Sequence, residues 1–182
     1  MPSNSAGQTT FADNRSAVPG RSIEADLGLL VLRIFLGVVF ILHGAQKLFG
    51  WFGGQGLSGT APFFESVGYA PGKPLVLLSG LVEFGGGILL IIGLGVSLVG
   101  AGLVADMAGA ALTMHTVGGG KFFGFEGGYE LELTLLVACL ALTLIGGGGL
   151  SLDRGRPWDR PRVRLVLAAL GLVGALFAAL IK

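Results

Sequence analysis

Five apolar runs govern what this chain can become: Leu27–Leu48, Leu75–Gly95, Leu98–Val117, Glu130–Ile145 and Val163–Ile181. A bilayer core about 30 Å thick is crossed by a helix of about 20 mainly apolar residues. The first three runs meet that length, and the fourth and fifth are shorter. The expected fold class is therefore all-α: a polytopic membrane protein with an antiparallel four-helix transmembrane bundle. A fifth, C-terminal hydrophobic helix follows it, peripheral and lipid-facing, either spanning or lying at the interface. Only helices and closed barrels satisfy every backbone polar group in lipid, and these runs are continuous rather than alternating.

The intervening segments set the organisation. Residues 1–26 are small and polar with no helical apolar period, and read as a disordered tail. The 49–74 segment is rich in Gly and Pro and carries Trp51, Phe52, Phe63, Phe64 and Tyr69, a composition suited to the membrane interface. Val96-Ser97 reads as a two-residue turn between the second and third spans. Arg154, Arg156, Arg160, Arg162 and Arg164 follow the fourth span, and Arg15 and Arg21 precede the first. The loops after spans one and three carry one lysine each, Lys73 and Lys121. The positive-inside rule then puts the N-terminus and the Arg-rich segment in the cytoplasm.

Composition closes other routes. Twelve cationic against eleven anionic side chains give no basic footprint for nucleic acid. A single cysteine, Cys139, allows neither a disulfide framework nor a dithiol redox pair. The Gly118–Lys121 run lacks the spacing and the Ser/Thr of a phosphate loop. The 34 glycines have no three-residue period; they read as helix-contact positions within spans and flexible loops outside.

The charges that remain inside the runs are the informative ones, because each costs roughly 2.5–3.5 kcal/mol at a span centre unless it faces protein or water. At about 100° per residue, Arg33, Gly37, Phe40, His43, Gly44 and Lys47 share one face of the first helix. Counting depth at about 1.5 Å per residue sets Arg33 level with Asp106 and predicts a structural ion pair between them. Glu83 falls near mid-membrane. His43, His115, Lys47, Gln46, Glu130 and Glu132 fall toward the outer end and form the candidate site. Glu83, His43 and Glu130 are the candidate catalytic groups, with Glu83 or Glu130 moving protons. Lys47, His43 and His115 are the candidate substrate-binding groups. His43 and His115 come from different spans with no ligand-motif spacing, so no metal site is expected. The bland alternative is that these polar groups only hold helices in register.

The same residues resemble a known family. Leu32-Arg33-Ile34-Phe35-Leu36-Gly37, then Phe40, His43-Gly44 and Lys47-Leu48-Phe49-Gly50, are similar to the opening signature of DoxX-family membrane proteins. Glu83 with Gly86-Gly87 and Gly93 resembles its second-span motif. Gly127-Gly128-Tyr129-Glu130, and Gly146 to Gly149 before Leu150-Ser151-Leu152-Asp153-Arg154, resemble its ending. The resemblance spans about residues 25–154, which divides the chain into a tail (1–26), a four-helix domain (27–154) and an extension (155–182). It implies a plasma-membrane protein linked to quinone or thiol redox metabolism, as a subunit of a quinol oxidase or a thiosulfate:quinone oxidoreductase. A quinone is then the cofactor or substrate to expect, with oxidoreductase partners beside the lipid bilayer. Two other functions fit the residues: a scaffold docking soluble partners on Arg154, Arg156 and Arg160, or a small-solute or proton transporter, which at this length would act as a homo-oligomer.

Overall fold

The computed structural model describes residues 21–124 and 127–180. The N-terminal tail expected over residues 1–26 lies outside them except for its last six residues. Those are not tail: Ser22 caps a helix whose first turn contains Glu24 and Asp26. Ala25 N–H donates to Ser22 Oγ at 3.4 Å, and the two carboxylates lie at the positive end of the helix dipole. The elements are α1 (Ile23–Phe49), α2 (Gly56–Ser66), α3 (Gly72–Ile92), α4 (Val96–Val117), α5 (Glu130–Ile145) and α6 (Pro161–Leu180), with a 3-10 turn at Pro157–Asp159. No strand occurs among the described residues.

Among the described residues four helices are long and apolar enough to cross a membrane: α1, α3, α4 and α6. With 16 residues, α5 reaches only about 24 Å. The expected fifth hydrophobic segment is thus the better span of the two. The 49–74 connection, read as an interfacial loop, contains the eleven-residue helix α2; its glycines and Pro62 mask the helical pattern.

The turn between α3 and α4 is Gly93-Leu94-Gly95, not Val96-Ser97, which already belong to α4. Gly93 (φ 75°) and Gly95 (φ 64°) are both left-handed, a conformation that costs glycine nothing and other residues about 1–2 kcal/mol.

Glycines also set the helix spacings. α1 runs antiparallel to α3 with backbones in close approach: a Cβ on Gly37 would stand 2.7 Å from the Gly87 carbonyl, and one on Gly44 would stand 2.8 Å from that of Gly80. Close backbone approach of this kind is how helices associate where lipid removes the hydrophobic drive. On the other side of the bundle, α6 runs parallel to α4. Gly171 lies on Ala101, Gly174 on Ala105 and Ala178 on Gly109. The row Ala101, Ala105 and Gly109 expected on α4 is the one used, whereas the row expected on α6, Gly171, Ala175 and Ala179, gives way to Gly171, Gly174 and Ala178. α6 is docked along the bundle rather than lying at the interface, and its remaining face is open, with only Ala168 and Gly171 buried.

Between these layers lies a continuous core that includes Leu36, Phe40, Leu90, Leu103, Met107, Leu135, Cys139 and Leu142. The outward faces carry large exposed apolar side chains such as Val31, Phe35, Leu98, Val173 and Phe177, the belt that lipid would cover. Arg21, Arg154, Arg156, Arg160, Arg162 and Arg164 all fall at the end of the bundle where α1 begins, α5 ends and α6 begins; Lys73 and Lys121 fall at the other.

Candidate functional site

A cavity of about 590 Å³ lies in the α2 half of the bundle, lined from all six α-helices. Each contributes by helical period. His43, Gln46 and Lys47 come from one stretch of α1; Leu75, Leu78, Ser79, Val82 and Glu83 recur along one face of α3. Gly102, Asp106, Gly109 and Thr113 do the same on α4. Phe63 and Phe64 of α2 close the end, beside Tyr69, whose hydroxyl lies 3.3 Å from the carbonyls of both Gly109 and Ala178. At the rim between α3 and α6, Leu78 is 60% and Phe177 61% exposed. That side is apolar and faces where lipid would be.

The floor is polar. Lys47 Nζ pairs with Glu83 Oε1 at 2.7 Å and donates to Ser79 Oγ at 2.9 Å. Glu83 is buried, 1% exposed, while Lys47 keeps some access to the cavity. Asp106 of α4 lines the same cavity as Glu83. Glu132, one turn before Leu135 on α5, lines the same space, and its charge is felt at Lys47. One ammonium thus faces three carboxyl groups. Glu83 Oε2, Asp106 Oδ2 and Glu132 Oε2 are all buried and make no hydrogen bond. Half-buried His43 lies on the wall beside them. Among the described residues no group of three or more His, Cys, Asp or Glu is placed to hold a metal ion.

The structure brings Glu83, His43 and Lys47 together and leaves two expected members out. His115 is exposed and packs edge-on against Tyr129, ring centroids 5.3 Å apart. Glu130 folds back against Gly128 at the start of α5 and does not line the cavity. Both lie at the cavity end of their helices but are rotated away from it. His115 is nine residues from Asp106, half a turn out of phase at 100° per residue; Glu130 and Glu132, two apart, cannot share a face. Glu132 was the acidic residue to choose, since its period matches Leu135.

Arg33 and Asp106 do not pair. Arg33 is fully buried at the opposite end of the molecule. Its Nη2 donates to the Leu150 carbonyl at 2.6 Å, its guanidinium lies against Gly93, and Asp153 supplies the negative charge there. Asp106 is about 15 Å further along, three turns into α4. The depth count had treated all spans as starting level, but α1 begins well before the α3–α4 turn. Asp153 is the residue that the sequence did not single out for this role. It accepts from Gly95 N–H at 2.8 Å, Val96 N–H at 2.7 Å and Trp158 Nε1–H at 2.8 Å. That cluster caps α4 and fixes the turn between α3 and α4.

Comparison with known proteins bears on this framework. The DoxX family pattern matches residues 28–116, which cover α1 to α4. A Bacillus subtilis protein named "Putative oxidoreductase CatD" is 31% identical over 70% of this chain and 86% of its own length. An uncharacterized membrane protein of Mycobacterium tuberculosis is 29% identical over 72% of this chain and 82% of its own. The Escherichia coli inner membrane protein YqjF is 39% identical over 37% of this chain and 46% of its own. No solved structure matches. On its matching span and its relatives, the chain is a membrane protein that belongs to the DoxX family.

Proposed function

We propose that this chain is the membrane-embedded subunit of a redox system, and that its cavity takes the head group of a lipid-borne quinone or quinol. The observation that carries this is the cavity itself: about 590 Å³, in the range of small-molecule sites, with apolar walls, a lipid-side rim and the Lys47–Glu83 pair as its floor. An amphiphile whose tail stays in the bilayer fits that division better than a freely soluble substrate does. The oxidoreductase name of a relative agrees with it. The Arg-rich end lies in the cytoplasm on the positive-inside rule, so the N-terminus is cytoplasmic, the membrane is the plasma membrane, and the cavity belongs to the outer half.

In this reading Lys47 and His43 hold the ring oxygens. Glu83 and Asp106 exchange the protons that accompany electron transfer. Oxidation of a quinol releases two protons and two electrons; the protons pass to the carboxylates and the electrons to a redox centre of a partner oxidoreductase.

Protein purified in mild detergent and extracted with organic solvent should yield bound quinone near one per chain, reduced at least about tenfold in Glu83→Gln. Absence of quinone from the wild-type protein contradicts the proposal. So does quinone-dependent redox activity of membranes that is unchanged by both His43→Ala and Glu83→Gln.

A further inference from the structure

We infer that the head group this cavity selects is a hydrogen-bond donor: the reduced, dihydroxy ring in preference to the oxidised ring or to any oxyanion. This deepens the quinone reading above and rests on it. Two of the three ammonium hydrogens of Lys47 are engaged by Glu83 Oε1 and Ser79 Oγ. Against that one cation stand three buried carboxylate oxygens with no partner, on Glu83, Asp106 and Glu132. Glu83 is the most telling, being 1% exposed and lining the cavity. A buried acceptor left unmet is costly, and a hydrogen bond to a charged acceptor is stronger than one between neutral groups.

A quinone brings only carbonyl acceptors. It adds to the excess and meets none of the three. An anion such as thiosulfate brings only further acceptors to a floor that already has three unmet ones. A quinol carries two O–H donors on one rigid ring, and Glu83 and Asp106 each offer an unmet oxygen in the cavity lining to receive them. Sites built to hydrogen-bond a hydroxyl reject the analogue without it far more strongly than apolar pockets reject a missing methylene.

The test uses the full chain in lipid nanodiscs and three probes with one decyl tail: a benzoquinol, the corresponding benzoquinone and the quinol dimethyl ether, titrated calorimetrically under anaerobic conditions. The quinol should bind at least about tenfold tighter than either of the others. Asp106→Asn, which exchanges one acceptor oxygen for a donor, should narrow the quinol-to-quinone ratio, and thiosulfate should not compete. Quinone or ether binding as tightly as the quinol overturns the donor selectivity while leaving the quinone site standing. Failure of all three probes to bind overturns the quinone site as well. A ratio that Asp106→Asn leaves unchanged, in a variant that still binds, also counts against the inference.

Discussion

Glu83→Ala lowers the stability of the folded bundle by about 3–5 kcal/mol, the usual consequence of removing one member of a buried ion pair. The substitution removes the Lys47 ammonium's ion-pair partner and leaves it the hydrogen bond to Ser79 Oγ, with Asp106 and Glu132 elsewhere in the cavity lining. The double variant Lys47→Met/Glu83→Leu should recover most of that loss, because a well-packed apolar replacement of a buried pair is neutral or stabilising. It should not recover ligand binding, since the polar floor is gone. Thermal unfolding in detergent reads the first effect and calorimetric titration the second. A double variant as unstable as the single one would show that packing at Glu83, rather than its charge, holds α1 to α3.

The second large effect belongs to the far end of the molecule. Asp153→Ala removes the acceptor of three hydrogen bonds, two from the first N–H groups of α4 and one from Trp158. The expected loss is about 2–4 kcal/mol, a helix cap plus a buried donor left unmet. It should be accompanied by a red-shifted Trp158 emission as the indole loses its partner. Asp153→Asn keeps one acceptor and should lose about half as much. Stability within about 0.5 kcal/mol of wild type in Asp153→Ala would contradict the role given to this carboxylate. In either variant, ligand affinity of the folded fraction should be unchanged, because the cap lies at the opposite end from the cavity.

These two sites differ in how far they could be read from sequence. The face of α1 that carries His43 and Lys47 was legible, because a single helix fixes its own rotation through the 3.6-residue period. Charge inside an apolar run marked Glu83 in the same way. Positions between helices were less accessible. Asp106 was matched with Arg33 by counting from span ends, and that count fails when α1 starts well before its neighbours. Asp153 lies in a loop, where no period applies, so nothing local in the sequence marks its three donors. The row Gly171, Gly174 and Ala178 on Ala101, Ala105 and Gly109 lies between these extremes. Ala101, Ala105 and Gly109 are legible as a small-residue stripe, but the stripe legible on α6, Gly171, Ala175 and Ala179, shares only Gly171 with the row that makes the contact.

The central claim is that an amphiphile occupies the cavity with its head group over Lys47 and Glu83. An experimental density map of the protein purified from its native membrane tests this most directly. The account predicts ring-shaped density against the Lys47–Glu83 pair, with a tail leaving between Leu78 of α3 and Phe177 of α6. An empty cavity in protein that retains quinone, with the quinone density on the outer faces of the bundle, would contradict it.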